Sequence, residues 1–272
     1  MDFSSVKMVV SDMDGTLLNS NHEVSERFFE LFPKLAQHGI RFVAASGRQY
    51  DSIIDKLQPI KNEITVIAEN GGFAMEGSTE IVSTPLASEK QYEVLELLAD
   101  IPDINTVLCG KKCAYIAKNA SNFLNKLKEY YSSYQTLPEL KAYHGELLKI
   151  AIYHPESSER YIYPVVAHLN GDLMVKISGP NWVDISSPNA HKGHALQKVQ
   201  SLYGTQPSET MVFGDYFNDL EMLALADYSF AMANAHPDVK KAAKHSTNSN
   251  DDFGVERVLE QLLHINPGTM ES

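Results

Sequence analysis

Lys7-Met8-Val9-Val10-Ser11-Asp12-Met13-Asp14-Gly15-Thr16 is the stretch on which the reading of this chain turns. A short apolar run closed by acids and a glycine reads as a buried strand ending in a loop. In an extended backbone positions i and i+2 point to the same side, so Asp12 and Asp14 converge beyond the strand's C-terminal end. Open α/β sheets bind ligands along that edge. Two neighbouring carboxylates repel each other, a divalent cation relieves the repulsion, and hard oxygen ligands suit magnesium. Taken alone, the same residues also describe a solvated acidic turn.

Working outward, Ser25 reads as the N-cap of a helix to about His38, stopped by Gly39. Pro33 falls inside that helix and is expected to kink it or to mark an irregular turn. Ile40 to Ala45 is a second buried strand, Gln49 to Leu57 a helix and Ile64 to Ala68 a third strand. Strand and helix in alternation imply a parallel sheet covered on both faces. The pattern changes after Asn70. A hairpin at Phe73 to Val82 leads to a helix at Glu89 to Ala99 and strands at Thr106 to Cys109 and Ala114 to Ala117. Then come a helix at Asn122 to Tyr131, a strand at Leu148 to Tyr153 and a helix at Glu159 to Leu169. Strands at Leu173 to Ile177 and Trp182 to Ile185 close this block. Alternation resumes with a helix at His191 to Tyr203, a strand at Thr210 to Phe213 and a helix at Asn218 to Ala226. A strand at Tyr228 to Ala231 and helices at Pro237 to Lys244 and Val255 to His264 complete the chain. The expected architecture is α/β: a Rossmann-like, three-layer parallel-sheet core over 1–83 and 182–272, with an α+β cap domain inserted over 84–181.

Three further segments fall where the same sheet edge can receive them. Ser46-Gly47-Arg48 ends a buried strand and opens a helix, where free amides and a hydroxyl form an anion site. Lys192 opens a helix, and a cation there opposes the macrodipole unless something anionic sits nearby. Gly214-Asp215-Tyr216-Phe217-Asn218-Asp219 follows the apolar run Met211 to Phe213, and Asp215 and Asp219 can share a helical face. Each segment alone is no more than a cap, an exposed lysine or an acidic turn. Together they offer acids for a cation, and a hydroxyl, amides and an amine for an anion. That combination describes a phosphoryl-transfer site, where positioning and charge stabilisation do most of the catalysis.

The four segments, in this order, resemble the four motifs of the haloacid dehalogenase superfamily of phosphatases. The inserted block resembles that of the Cof-like sugar-phosphate phosphatases. Glu69-Asn70-Gly71-Gly72, Met232-Ala233-Asn234-Ala235 and Asn250 to Val255 extend the likeness over essentially the whole chain. The resemblance implies that Asp12 attacks phosphorus to form an aspartyl-phosphate and that Asp14 protonates the leaving oxygen, then deprotonates water. It implies that Ser46, Gly47, Lys192 and Asn218 serve the phosphate side. Mg2+ would be held by Asp12, the backbone carbonyl of Asp14, and Asp215, with Asp219 in support. Arg48 and Asn70 match positions on the substrate side. The inserted block is implied to close over the site and to set substrate choice, with Tyr115, Lys149, Lys176 and Trp182 as contacts to consider. Tyr216 departs from the family pattern, standing where a small hydroxyl residue is common. The activity implied is hydrolysis of small phosphate monoesters such as sugar phosphates. A phosphosugar mutase, or a non-catalytic phospho-ligand binder, is the competing reading.

Composition narrows the partners. The 272 residues carry a formal charge of −12, which argues against nucleic acid, since phosphate backbones are bound by basic faces. No apolar run approaches the ~20 residues that cross a bilayer, and the first residues lack the pattern of a signal peptide. A cytoplasmic protein with a small phosphorylated metabolite as its partner is expected. Cys109 and Cys113, the two cysteines, suggest reduced thiols rather than a disulfide scaffold.

Overall fold

The computed structural model describes residues 2–120, 123–131 and 133–265. In chain order the strands are β1 (Met8–Asp12), β2 (Arg41–Ala45), β3 (Thr65–Ala68), β4 (Phe73–Glu76), β5 (Thr79–Ser83), β6 (Asn105–Gly110), β7 (Ala114–Ala117), β8 (Tyr134–Leu137), β9 (Leu147–Tyr153), β10 (Met174–Gly179), β11 (Trp182–Ser186), β12 (Thr210–Gly214), β13 (Tyr228–Ala231) and β14 (His245–Ser246). The helices are α1 (Glu26–Gln37), α2 (Tyr50–Lys56), α3 (Ser88–Leu98), α4 (Leu124–Leu127), α5 (Ser158–Tyr161), α6 (Tyr163–Val166), α7 (Lys192–Tyr203), α8 (Leu220–Leu223), α9 (Pro237–Ala242) and α10 (Gly254–Ile265).

The chain divides into two compact units: Met1–Gly47, Ile53–Val82 and His191–Ser272 in one, Arg48–Ser52 and Ser83–Ala190 in the other. The first holds an eight-stranded sheet in the order β14-β13-β12-β1-β2-β3-β4-β5, parallel from β14 through β3. β4 turns back antiparallel to β3. β1, β3 and β12 are buried along their whole length, as strands covered on both faces must be. The chain runs β1 to β2 to β3 on one side and returns to place β12 and β13 on the other. The order therefore reverses between β1 and β12, the crevice where sheets of this kind take ligands. Register finishes the arrangement. Asp12 is level with Ala45, Ala45 with Ile67, and Ser11 with Phe213, so the loops after β1, β2, β3 and β12 leave the sheet along one edge.

Helix α1 continues through Pro33 as α-helix, without an irregular turn. Phe28, Leu31, Phe32 and Leu35 bury its apolar face, and the Phe28 ring lies 4.9 Å from that of Phe42 on β2. Pro33 is exposed, so the Phe29 carbonyl that the ring deprives of a donor lies on the face open to water. Tertiary packing outweighs one missing bond. The opposite happens at Pro164. The single helix expected over 159–169 is α5, then α6, then a 3-10 turn at Ala167–Leu169.

The second unit is a six-stranded sheet in the order β10-β11-β9-β6-β7-β8, antiparallel except for β7 with β8. Its side chains alternate between two cores, as a period of two requires. Leu108, Ile150, Ile152 and Val183 join Val94, Leu98 and Val166 from α3 and α6, while Val107, Cys109 and Ala151 join Phe123, Leu127 and Tyr131 around α4. The boundary placed after Asn181 is corrected to after Ala190. β11 hydrogen-bonds between β9 and β10, so Trp182 to Ser186 belong to this sheet and not to the core. Of the helix expected over 122–131, Leu124–Leu127 is α-helical, and Asn122 lies outside the described residues. The helix expected from Asn218 begins as a 3-10 turn at Phe217–Asp219 before α8.

Candidate active site

Asp12, at the last position of β1, is buried, and its Oδ1 accepts from the Lys192 ammonium. Lys192 is the first residue of α7 and has no solvent exposure. Its Nζ also donates to Asp219 Oδ1 at 2.7 Å. The other Asp219 oxygen accepts the backbone N–H of Asp215 at 2.9 Å and of Tyr216 at 3.1 Å. Asp219 thus ties the turn after β12 to the start of α7. The cation at a helix N-terminus, unfavourable by itself, is answered by two carboxylates.

Asp215 follows β12, and its Oδ1 accepts from Thr16 Oγ1 at 3.2 Å. One oxygen each from Asp12, Asp215 and Asp219 lie within 4.8 Å of one another. Burial pushes the Asp12 carboxyl well above the usual carboxylate range, against the pull of Lys192, and Asp219 and Asp215 add to the rise. Burial, then the charge of Asp219, raises Asp215 to about 6. Lys192 is desolvated, which alone would lower it, yet Asp12 and Asp219 hold it above an ordinary lysine. Three acids facing one lysine leave two negative charges uncompensated when all are ionised. A hard divalent cation fits that deficit and that set of oxygen donors.

Two glycines let the elements approach this closely. Gly15 has φ of +77°, and a Cβ there would collide with the Asp215 carboxylate. Gly71, with φ of +93°, lies so near the His191 carbonyl that a Cβ would overlap it.

A second group gathers beside β2 and β3. Ser46 is buried; its N–H donates to Ile67 and its carbonyl accepts from Asn70. Asn70 takes φ of +54°, and its Oδ1 accepts from Asn218 Nδ2 at 3.1 Å. A Cβ on Gly47 would lie 3.0 Å from the Asn70 amide. Ser46, Gly47, Asn70 and Asn218 are therefore neighbours, while Arg48 falls in the other compact unit. Asp14 is not among the three clustered acids, and the expectation for it concerns its backbone carbonyl.

A family model described as haloacid dehalogenase-like hydrolase matches residues 9–259. The chain is a haloacid dehalogenase-like hydrolase. It is similar to an Escherichia coli (strain K12) protein named 5-amino-6-(5-phospho-D-ribitylamino)uracil phosphatase YbjI, with 33% identity over 95% of this chain and 97% of that protein. Among solved structures it resembles SMU.1108c from Streptococcus mutans UA159, with 29% identity, TM-score 0.87, and 95% and 99% of the two chains covered. The HAD subclass IIB sugar phosphatase BT4131 shares the fold at 20% identity and TM-score 0.81, over 96% and 100% of the two chains. The hydrolase is a phosphatase of the Cof-like group.

Reading the sequence gave no role to several residues that hold this hydrolase's site together. Thr16 steadies Asp215. Asn234 Nδ2 donates to the Gly15 carbonyl at 2.7 Å, and Asn250 donates its N–H to Asn234 Oδ1 at 3.1 Å. Both asparagines lie in segments already noted for their likeness, but a side chain that serves a distant backbone leaves no periodic trace. Lys149 and Trp182, weighed as substrate contacts, have structural partners. Lys149 is buried against Asp184 at 3.1 Å, and Trp182 packs among Phe123, Tyr130 and Tyr153. Among the described residues no helix is long and apolar enough to cross a membrane.

Proposed function

We propose that this hydrolase is a Mg2+-dependent phosphatase of small phosphate monoesters that works through an aspartyl-phosphate on Asp12. The observation that carries the reading is the constellation of buried Asp12, Lys192 and Asp219 with half-buried Asp215 at the crevice between β1 and β12. An Asp12 oxygen attacks phosphorus while the bond from phosphorus to the ester oxygen breaks. Asp14 gives that oxygen its proton. Water then attacks the phospho-Asp12, Asp14 takes up the proton, and inorganic phosphate leaves with the carboxylate restored. Lys192, Ser46 and the backbone at Gly47 hold the phosphoryl oxygens, and Asn218 with Asn70 orients that side. Asp12, the Asp14 carbonyl and Asp215 would hold Mg2+, with Asp219 in support. The bound metal offsets the repulsion between an anionic nucleophile and an anionic ester.

Turnover of p-nitrophenyl phosphate with Mg2+, abolished by EDTA, is the first test. Asp12→Asn is expected to lower kcat by about 10³-fold or more, as loss of a nucleophile does. Near-wild-type turnover in that variant would remove the assignment. Phosphorylated ribitylaminopyrimidines belong in the substrate screen beside sugar phosphates, because the Escherichia coli relative is named for one.

A further inference from the structure

Two large rings stand open in the turn after β12. Tyr216 is 50% exposed and Phe217 42%, although their chain neighbours Asp215 and Asn218 turn into the site. An isolated exposed ring needs no explanation, but a cluster of them beside a ligand crevice does. Here they form one cluster with His236. The Phe217 ring lies 4.3 Å from that of His236 and 5.1 Å from that of Tyr216. The Tyr216 ring stands at 70° to Phe217 and 86° to His236.

The backbone beneath the rings is fixed. Tyr216 N–H donates to Asp219 Oδ2 at 3.1 Å, and Asp219 N–H donates to the Tyr216 carbonyl at 3.0 Å. His236 N–H donates to the Asp215 carbonyl at 2.9 Å, and its Nδ1 accepts from Asp238 N–H at 3.2 Å. The cluster is therefore a preorganised apolar surface built on the loop that carries Asp215. Its place relative to the reacting groups follows from Asn234. That side chain, two residues before His236, donates to the Gly15 carbonyl, next in the chain to Asp14. Asn218 turns the other way, to Asn70 after β3. The rings thus lie on the β12–β13 side of Asp14, opposite Ser46 and Asn70 on the β2–β3 side.

We propose that Tyr216 and Phe217 form a stacking surface for a planar aromatic or heterocyclic ring in the leaving group. The inference rests on the phosphatase reading, with Asp14 the acid that meets the leaving oxygen. It narrows the substrate class to phosphate monoesters that carry such a ring. A polyol offers hydroxyls, which these rings cannot match, whereas a flat ring meets their faces and edges in the offset or perpendicular geometries that aromatic pairs favour.

The experiment compares kcat/KM for phosphate esters of phenylalkanols and cyclohexylalkanols, equal in carbon count, with arms of one to four methylenes. Both leave as alkoxides, so the ratio reads the ring and not the chemistry. The wild-type enzyme is expected to favour the phenyl ester by about two- to tenfold at its best arm length, mostly in KM, the scale of an aromatic pair. The double variant Tyr216→Leu/Phe217→Leu, which keeps apolar bulk but no ring, is expected to bring the ratio to about one. Tyr216→Phe is expected to keep it. A wild-type ratio near one at every arm length overturns the inference while leaving the phosphatase reading intact, and it needs no variant to fold. A phenyl preference that persists in the double variant, or is lost in Tyr216→Phe, also overturns it. No turnover of any ester overturns the phosphatase reading, and this inference with it.

Discussion

Gly15 separates Asp14 from Thr16, and the room it leaves is taken by the Asp215 carboxylate. Any side chain there must displace Asp215 and also adopt φ of +77°. Gly15→Ala is therefore expected to weaken Mg2+ affinity about tenfold or more, the range seen when groups supporting a metal site are disturbed. The Mg2+ dependence of turnover and circular dichroism together check this, the second to confirm that the fold survives. Gly71→Ala meets backbone rather than a side chain, since the His191 carbonyl cannot swing aside. A stability loss of about 2–4 kcal/mol by urea denaturation is expected. At this scale the acids and Lys192 were legible because strand ends and chemistry coincide in the sequence. Thr16 and Asn234 were not, because their importance lies in which distant group they reach.

Two prolines show what decides an element. Pro33 sits on an exposed face of a helix whose other face is clamped by aromatic rings, and the helix continues. Pro33→Ala restores a backbone donor without touching the core, and is expected to raise stability by about 1–3 kcal/mol in chemical denaturation. Pro164 lies just after the junction of two four-residue helices, and there the helix breaks. A second element-scale feature joins α1 to α10. The Ser25 side chain caps α1 by accepting from Phe28 N and donates to the buried Glu256 on α10. Burial raises the Glu256 carboxyl above its ordinary 4.5, so the folded protein binds its proton more tightly than the unfolded chain does. The native state is thus penalised as pH rises through 4.5 and beyond. Glu256→Gln is expected to raise the melting temperature near neutral pH, with the gain vanishing below pH 4.5. Apolar strands such as β2, β7 and β12 were plain in the sequence. The polar β8 and the two-residue β14 were not, having no apolar run to announce them. β11 was seen as a strand but assigned to the wrong sheet, because pairing partners are set by topology and not by local pattern.

For the molecule as a whole, a charge of −12 adds to the cost of three clustered acids that share one lysine, and a bound cation should be felt in global stability. Mg2+ at a hundred times its dissociation constant is expected to add about 2.7 kcal/mol, seen as a rise in melting temperature that EDTA reverses. Which ion gains most from the site follows from Asp219. With one oxygen on Lys192 and the other on two amides, it has little left to offer a visitor. A guest ion must therefore keep much of its own hydration shell. Magnesium, small and slow to shed water, tolerates such a sparse welcome, whereas calcium seeks six to eight oxygens at longer range. Calorimetric titration is expected to find calcium the weaker guest, and freeing Asp219 by Lys192→Met to narrow the gap.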